Sequence, residues 1–268
     1  MIEAVEAFTE AKRDDPSRNE DAFVVAEHFA AVIDGVTSLS EGTLPTSGRL
    51  AAQALVEAVR TLDPRATARE AVDALSRAVA EVGTGPAGVP RAAVAIVSAA
   101  RRELWRVGDC GATLIAPRQA VFFDAKSVDA LTADARALVL QAHLARGASR
   151  KSLLAEDPAW PFVVPFVEAQ WEHANAVGEF GFGVIDGGEV PDAHLHVDPL
   201  GPEPIEIALY SDGFLPGSTT LAEAEAALSA ALARDPLCIE ELRGTKGPHP
   251  ATGRMDDRTF VRVRLPGV

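Results

Sequence analysis

The sequence has few cysteines and no long hydrophobic run. Cys110 and Cys238 are the only cysteines among 268 residues, so a framework of disulfide bonds is excluded and a reducing compartment is expected. No run of about 18 apolar residues is present, and the amino terminus has neither a basic start nor a long apolar stretch. We therefore expect a cytoplasmic protein with no membrane span and no signal peptide.

Basic residues are also scarce relative to acidic ones. The 25 lysines and arginines are outnumbered by 39 aspartates and glutamates, which gives a net charge of -14. This balance disfavours the attraction to phosphate backbones on which nucleic-acid binding depends. At 47% hydrophobic residues, a chain of this length can bury a sizeable core.

Five short acidic motifs lie at the ends of apolar, β-type runs. In three of them the run leads into an aspartate, and in the other two the acidic residues precede the run. A single Asp-Gly is usually a turn, but strand ends can hold several side chains in fixed geometry while leaving them open to solvent. Carboxylates gathered in this way suit Mn²⁺ or Mg²⁺, because hard cations prefer oxygen ligands. The motifs are, in order, Asn19-Glu20-Asp21, Asp34-Gly35, Gly108-Asp109, Ser211-Asp212-Gly213 and Asp256-Asp257.

The ordered set resembles the metal-dependent protein phosphatases, the PPM or type 2C serine/threonine phosphatase family, in a divergent bacterial form. The matching segments are RNEDAFVV, AAVIDGVTS, LWRVGDCGATLI, IALYSDGFLP and MDDRTFVRVRL, which extend from Arg18 to Leu265. The resemblance implies an α+β fold, an α-β-β-α sandwich of two antiparallel sheets flanked by helices, with metal ions at one edge. We expect one domain over residues 1–268, because the first and last motifs must meet.

The resemblance also implies a binuclear metal centre. Asp34 would bridge two Mn²⁺ or Mg²⁺ ions and the water that they activate, and the carbonyl of Gly35 would bind one of these ions. Asp212 and Asp256 would complete the centre. Asp256 is preferred to Asp257 because it has the family's spacing to the threonine after it.

Three further acidic residues are implied as ligands. Glu20 and Asp21 match the acidic pair of the first motif, with Asp21 and also Glu20 as candidates to hold a metal directly or through water. Asp109, together with Asp212, is similar to the pair that binds a third, weaker metal ion in several bacterial members.

Two departures from the family pattern lie close to the expected chemistry. Pro16 stands where the family has its phosphate-binding arginine, so either Arg18 or Arg13 is the candidate for that role. Val36 stands where eukaryotic members carry a histidine that is thought to protonate the leaving group. His173 is a candidate replacement for this acid, and we expect His173 and Val36 to line the substrate pocket.

Residues 125–172 are the part of the chain least like the family. Their apolar spacing predicts a helical insert, with a helix over residues 127–150, and the prolines at 161 and 165 are expected to interrupt the segment after this helix. A cover over the metal site and a plain packing role are both open for this insert.

Patterning predicts the remaining elements. Apolar, β-type runs predict strands over 2–8, 22–25, 29–33, 205–210 and 259–265, and helical patterns cover 48–62, 66–82 and 220–233. The segments 91–99, 103–107, 112–116 and 120–123 read as a four-stranded meander in one sheet. His194 and His196 are predicted to share one strand, and a short helix is expected before Gly244.

The function that this resemblance implies is a Mn²⁺- or Mg²⁺-dependent phosphomonoesterase that acts on phosphoserine and phosphothreonine in proteins. Its partners would be phosphoproteins, without nucleic acid or membrane. Because the pocket departs from the family, two alternatives stay open. One is a metalloenzyme that acts on a small metabolite, through phosphate or another ester, and the other is a catalytically weak regulatory or binding relative.

Overall fold

Two antiparallel five-stranded sheets form the centre of the protein, whose computed structural model describes residues 1–36 and 44–268. The first sheet has the spatial order β1 (Glu3–Glu10), β10 (Arg258–Leu265), β9 (Ile205–Tyr210), β6 (Gly111–Ala116) and β7 (Ala120–Phe122). The second has the order β2 (Ala22–Val25), β3 (Phe29–Gly35), β4 (Ala92–Ser98), β5 (Glu103–Val107) and β8 (His196–Pro199). Thr37 and Ser38, which end the second matching segment, lie outside the described residues.

Alternating side chains on the central strands build two apolar layers. On β3, Ala30 and Val32 pack in the layer between the sheets, whereas Ala31 and Ile33 belong to the layer on the opposite face. Successive side chains of a strand point to opposite faces, so one apolar run supplies both layers. Complete burial of a side chain such as Ile33 stabilises the fold by about 1.5–3 kcal/mol.

Helices cover the outer faces of both sheets. The second sheet packs against α1 (Ser47–Thr61) and α2 (Ala68–Val82), and the first packs against α6 (Leu221–Arg234). A reciprocal pair of side chain–backbone hydrogen bonds between Thr67 and Glu70 caps the start of α2. The predicted α-β-β-α sandwich is confirmed.

The predicted insert contains three helices rather than one helix and an interruption. These are α3 (Ser127–Ala145), α4 (Arg150–Ala155) and α5 (Trp160–Ala169). The prediction of a helix to residue 150 was wrong because Gly147, at φ 93°, takes a conformation that ends α3. The prolines do not prevent α5: Pro161 lies in its first turn, where a missing N–H costs nothing, and burial of Val163 and Val167 offsets Pro165 within the helix.

The predicted four-stranded meander is divided between the sheets. β4 pairs with β5 in the second sheet, whereas β6 pairs with β7 in the first. The chain crosses between the sheets at Gly108, whose φ of 83° and close approach to Ala93 both require glycine. This crossing carries the third acidic motif.

Two smaller predictions were also wrong. His194 ends a 3₁₀ helix (Asp192–His194), and only His196 belongs to a strand, so the two histidines do not share one face of a strand. The short helix expected before Gly244 is a series of bends, in which Asp235 accepts backbone hydrogen bonds from Ile239, Glu240 and Leu242. Over the described residues, no helix is long and apolar enough to cross a membrane.

Candidate metal centre

Strand ends from both sheets meet at a cavity of about 620 Å³. β3 contributes Asp34 at its carboxyl end, and Asp212 lies just after β9. Asp109 comes from the crossing between the sheets, and Asp256 precedes β10. The cavity is lined by Asp34, Gly35, Val36, Asp109, Lys126, Asp129, Trp171, Asp212, Asp256 and Asp257, among others. Four of the five sequence motifs therefore reach one continuous space, although they are spread over more than two hundred residues.

A larger cavity of about 1100 Å³ lies elsewhere, in the groove between α1 and α2. Among the residues that the structure describes, it shares no lining residue with the carboxylate cavity. Its charged groups, such as Glu70 and Arg77, stand on solvent-facing parts of the two helices, which is an ordinary composition for a surface groove.

Gly35 brings β3 into very close contact with its neighbours. A β-carbon at this position would lie 2.3 Å from the carbonyl oxygen of Gly48 and 2.5 Å from that of Glu20. The N–H of Gly35 also donates to the Glu20 carbonyl at 3.1 Å. Gly35 thus ties the second motif to the first and to the amino-terminal turn of α1, and it fixes the position of Asp34.

Asp21 is buried, does not line this cavity and is held by neighbouring polar groups. The hydroxyl of Ser211 donates to its carboxylate at 2.6 Å, and Ser211 in turn accepts from the N–H of Thr259 at 3.0 Å. Asp21 lines a second cavity of about 600 Å³ instead, together with Arg13. The first, fourth and fifth motifs are therefore connected by hydrogen bonds.

The two aspartates of the last motif have different surroundings. Asp257 is buried and accepts the backbone N–H groups of Lys12 and Glu20, both at 2.6 Å. Asp256 is half-buried, and its carboxylate lies 4.0 Å from the ammonium of Lys12. Asp256 is thus the freer ligand candidate, whereas Asp257 joins the start of β10 to the first motif.

Burial, together with repulsion among the carboxylates, sets the electrostatics of the site. Burial, and after it the charges of Asp212, Asp21, Asp109 and Asp256, raises the pKa of Asp34 well above its usual range. Burial likewise raises the pKa of Asp21, against the stabilising hydrogen bond from Ser211. Such crowded acids need a cation to remain ionised together.

Asp212 belongs to the same crowded set. Burial by the cavity walls, then Asp109 and Asp256, raises its pKa, although solvent in the cavity reaches the side chain and screens part of this repulsion. Asp34 and Asp212 line the same cavity, and the charge of Asp212 raises the pKa of Asp34. Over the described residues, no ion pair reaches Asp21, Asp34 or Asp212, whereas Asp109 and Asp256 each have a lysine nearby.

Lys126 is the basic residue closest to these acids. Its ammonium lies 2.7 Å from a carboxylate oxygen of Asp109. Burial alone would lower the pKa of Lys126, but the charges of Asp109, Asp129 and Asp212 outweigh that effect and raise it. Lys126 therefore carries a positive charge among three aspartates, Asp109, Asp129 and Asp212.

The donor set fits a hard divalent cation in chemistry and in charge. The acids around Asp34 supply only oxygen donors, and three of them have no basic partner within the described residues. Among the described residues, no group of three or more His, Cys, Asp or Glu side chains has the geometry of a metal site. Some carboxylates face a protein partner instead, such as Ser211 for Asp21 or Lys126 for Asp109, so an ion would have to draw them from these partners.

The predicted arginines and histidine lie outside the main cavity. Arg18 pairs with Asp15 at 3.5 Å, and Arg13 lines the second cavity together with Asp21. His173 ends a 3₁₀ helix (Gln170–His173), where its ring contacts Phe180. Val36 lines the main cavity, as does Trp171 from the same 3₁₀ helix as His173. The roles assigned to these side chains stay predictions.

Sequence reasoning missed Lys126, Asp129 and the supporting role of Asp257. A lysine and an aspartate near the start of α3 read as ordinary helix-terminal charges, so no local pattern distinguishes them. The pair Asp256-Asp257 did offer a signal, since adjacent acids at the start of a buried strand must point in different directions.

No protein-family model matches this sequence, and no curated protein matches it. Solved structures do match, over nearly the whole length of both chains. The Mycobacterium tuberculosis serine/threonine phosphatase PstP/Ppp is 16% identical, with 99% of each chain covered and a TM-score of 0.51. The catalytic domain of the serine/threonine protein phosphatase PstP, in complex with 2 manganese ions, is 18% identical, with 98% of each chain covered and a TM-score of 0.51. The serine/threonine phosphatase Stp1 from Staphylococcus aureus is 14% identical, and the match covers 100% of this chain and 96% of the Stp1 chain with a TM-score of 0.51.

Proposed function

We propose that this chain, which has the fold of the bacterial PPM-type serine/threonine phosphatases, is a Mn²⁺- or Mg²⁺-dependent phosphomonoesterase. Its substrates would be phosphoserine and phosphothreonine in proteins. The observation that carries the proposal is the convergence of the acidic strand ends around Asp34, in a cavity where Asp34 and Asp212 have no ion-pair partner within the described residues.

We assign different residues of this chain to different parts of the metal centre. Asp34 would hold both ions; this role is supported by the close packing of Gly35 against the first motif and by the repulsion between the charges of Asp34 and Asp212. Asp212 and Asp256 line the same cavity, and Asp21 accepts a hydrogen bond from Ser211, the residue before Asp212. When bound, two divalent ions lower the pKa of a water molecule and neutralise phosphoryl oxygens, which is the chemistry of binuclear phosphatases. That PstP's catalytic domain binds 2 manganese ions supports the same requirement here.

Binding of the phosphate is assigned to Arg13 in preference to Arg18. Arg13 is exposed and shares a cavity with Asp21, whereas Arg18 is already paired with Asp15. The Arg13→Ala variant should therefore raise KM more than Arg18→Ala does, while both retain metal binding.

Hydrolysis by the purified protein tests the proposal. An aryl phosphate and phosphoserine or phosphothreonine peptides would be offered with Mn²⁺, with Mg²⁺ and with chelator, alongside the Asp34→Asn variant. We expect metal-dependent turnover that falls in this variant by more than the roughly 10- to 100-fold loss typical of removing an outer-shell partner, because Asp34 is an inner ligand. Turnover that survives in chelator, or in Asp34→Asn, would contradict the metal centre.

A small phosphorylated metabolite, or another small ester, is the second candidate substrate class. It is favoured by the insert, since Asp129 of α3 and Val167 of α5 line the cavity and so add a wall of helices beside the expected metal ions. Small esters turned over much faster than phosphopeptides would support this class. A protein that binds no Mn²⁺ would instead be a regulatory or binding relative.

A further inference from the structure

Asp109, the residue expected to hold a third metal ion, already has a cationic partner in the structure. The carboxylate that would hold this ion is engaged by the ammonium of Lys126 at 2.7 Å. Both side chains are largely buried, with exposed fractions of 16% for Lys126 and 10% for Asp109. A buried pair of this kind is held far more firmly than an ion pair on the surface, because little water competes for either partner.

Acidic side chains and an aromatic ring lie around the ammonium of Lys126 and stabilise its positive charge. Asp129 and Asp212 both act on the charge of Lys126 in addition to Asp109. The face of the Phe182 ring lies 5.4 Å from the ammonium, at a distance where aromatic rings attract cations. Acidic and aromatic groups from four separate parts of the chain therefore surround one positive charge.

The backbone also fixes the lysine in this place. Lys126 directly precedes α3, and no hydrogen bond from its side chain caps that helix. Val128, in the first turn, packs in a buried cluster with Phe182 and Val184. The hydroxyl of Ser127 donates to the carbonyl of Glu179 at 2.6 Å. The first turn of the insert is thus attached to the segment around Phe182, which directs the lysine side chain at Asp109.

We propose that Lys126 is a permanent, built-in cation of the metal centre, which replaces a third divalent ion at Asp109. The proposal deepens the function proposed above and rests on the metal centre assigned there. A divalent ion at Asp109 would have to displace the ammonium or lie beside a like charge, and both are unfavourable. The chain would therefore bind its two ions near Asp34 and no more.

The count of bound Mn²⁺ per chain, by equilibrium dialysis and metal analysis, tests this proposal without any assay of activity. Lys126→Gln removes the charge and keeps much of the side chain's length, so it should bind an additional ion relative to the wild type. The double variant Lys126→Gln, Asp109→Asn should lose that ion again. Equal counts for the wild type and Lys126→Gln would overturn the proposal and leave the lysine as a simple structural link between α3 and the sheets.

Arg243→Gln is the matched control. Arg243 lines the same cavity but pairs with Asp134, an acid outside the ligand set. Loss of this pair should leave the ion count as in the wild type; a gain equal to that of Lys126→Gln would overturn the assignment to Lys126.

A fourth variant covers the case in which Lys126→Gln does not fold. Asp109→Asn alone should leave the wild-type ion count unchanged, because Asp109 holds the lysine rather than an ion. A lower count in Asp109→Asn would overturn the proposal. Failure of the phosphatase proposal is distinguishable, since it would appear as absent hydrolysis whatever the differences in ion count.

Discussion

Gly35 shows how closely the candidate site depends on single atoms. The two groups that a β-carbon would meet at this position are backbone carbonyls of Gly48 and Glu20, and neither can move as a side-chain end could. The end of β3, the first acidic motif and the start of α1 therefore pack so closely that only the hydrogen atom of a glycine fits at position 35.

Gly35→Ala should destabilise the protein by about 3 kcal/mol or more, because overpacking against rigid groups reaches or exceeds the upper range for buried sites. Urea unfolding followed by circular dichroism measures this loss. Gly85→Ala is the control, since a β-carbon there meets nothing within 4 Å and the backbone does not need glycine. Its expected effect is within about 1 kcal/mol of the wild type. Equal stabilities of the two variants would contradict the close packing at Gly35.

The acids around Asp34 predict an unusual dependence of stability on pH. Burial and mutual repulsion raise the pKa values of Asp21, Asp34 and Asp212 in the folded protein. Between the ordinary aspartate pKa of 3.8 and the folded pKa of Asp212, about 7, the folded state then binds protons that the unfolded chain has released, so stability falls as pH rises. We expect the free energy of unfolding in chelator to decrease across this window.

Asp34→Asn removes one of these charges, so its free energy of unfolding should fall less steeply with pH. Saturating Mn²⁺ should flatten the dependence of the wild type in the same way, because the ions neutralise the acids. Urea unfolding at a series of pH values measures all three slopes. A steeper slope in Asp34→Asn, or no effect of Mn²⁺, would contradict the account of these charges.

At the scale of single residues, the sequence predicted some of the residues that line the cavity and could not predict others. Asp34, Gly35, Asp212 and Asp109 stand in motifs at strand ends, and the structure places them at one cavity. Lys126 has no such motif, because its role depends on where the insert places α3 relative to a crossing between the sheets. Contacts of this kind are long-range, and local pattern does not encode them.

At the scale of elements, the two adjacent aspartates before β10 have different roles. Asp257 satisfies two buried backbone N–H groups, whereas Asp256 opens to the cavity. Asp257→Asn should cost about 1–3 kcal/mol of stability, because an amide offers one acceptor in place of two. Asp256→Asn should cost little stability and weaken Mn²⁺ binding. Urea unfolding and calorimetric titration with Mn²⁺, applied to both variants, measure the two effects, and a reversed pattern would move the ligand assignment to Asp257.

Elements were predicted well where one periodicity dominates. Strand β5 and strand β9 have the predicted bounds, and α1, α2 and α6 differ from prediction by one or two residues at their ends. The exceptions have local causes. α5 forms despite Pro165 because its apolar face is buried, and the four strands from β4 to β7 divide between the sheets because a glycine at 108 turns the chain across the sandwich.

At the scale of the whole molecule, the two sheets act as one frame for the acids. β3 belongs to the second sheet, whereas β9 and β10 belong to the first, so Asp34 can meet Asp212 and Asp256 only when the sheets pack face to face. The family resemblance carried by the motifs implied this layering, but the order of strands within each sheet depends on pairings between distant segments, such as β1 with β10.

The net charge of -14 adds a global term to the local repulsion. Divalent ions that bind only the folded state stabilise it in proportion to the logarithm of their concentration over the dissociation constant. The metal centre is therefore expected to contribute to the stability of the fold as well as to chemistry.

Anomalous diffraction from crystals grown with Mn²⁺, collected at the manganese edge, tests the central claim most directly. The account predicts manganese peaks about 2 Å from carboxylate oxygens of Asp34 and from the carbonyl oxygen of Gly35, and their loss in crystals of Asp34→Asn. Crystals without a peak beside Asp34, or with the same peaks in Asp34→Asn, would contradict a metal centre at this site.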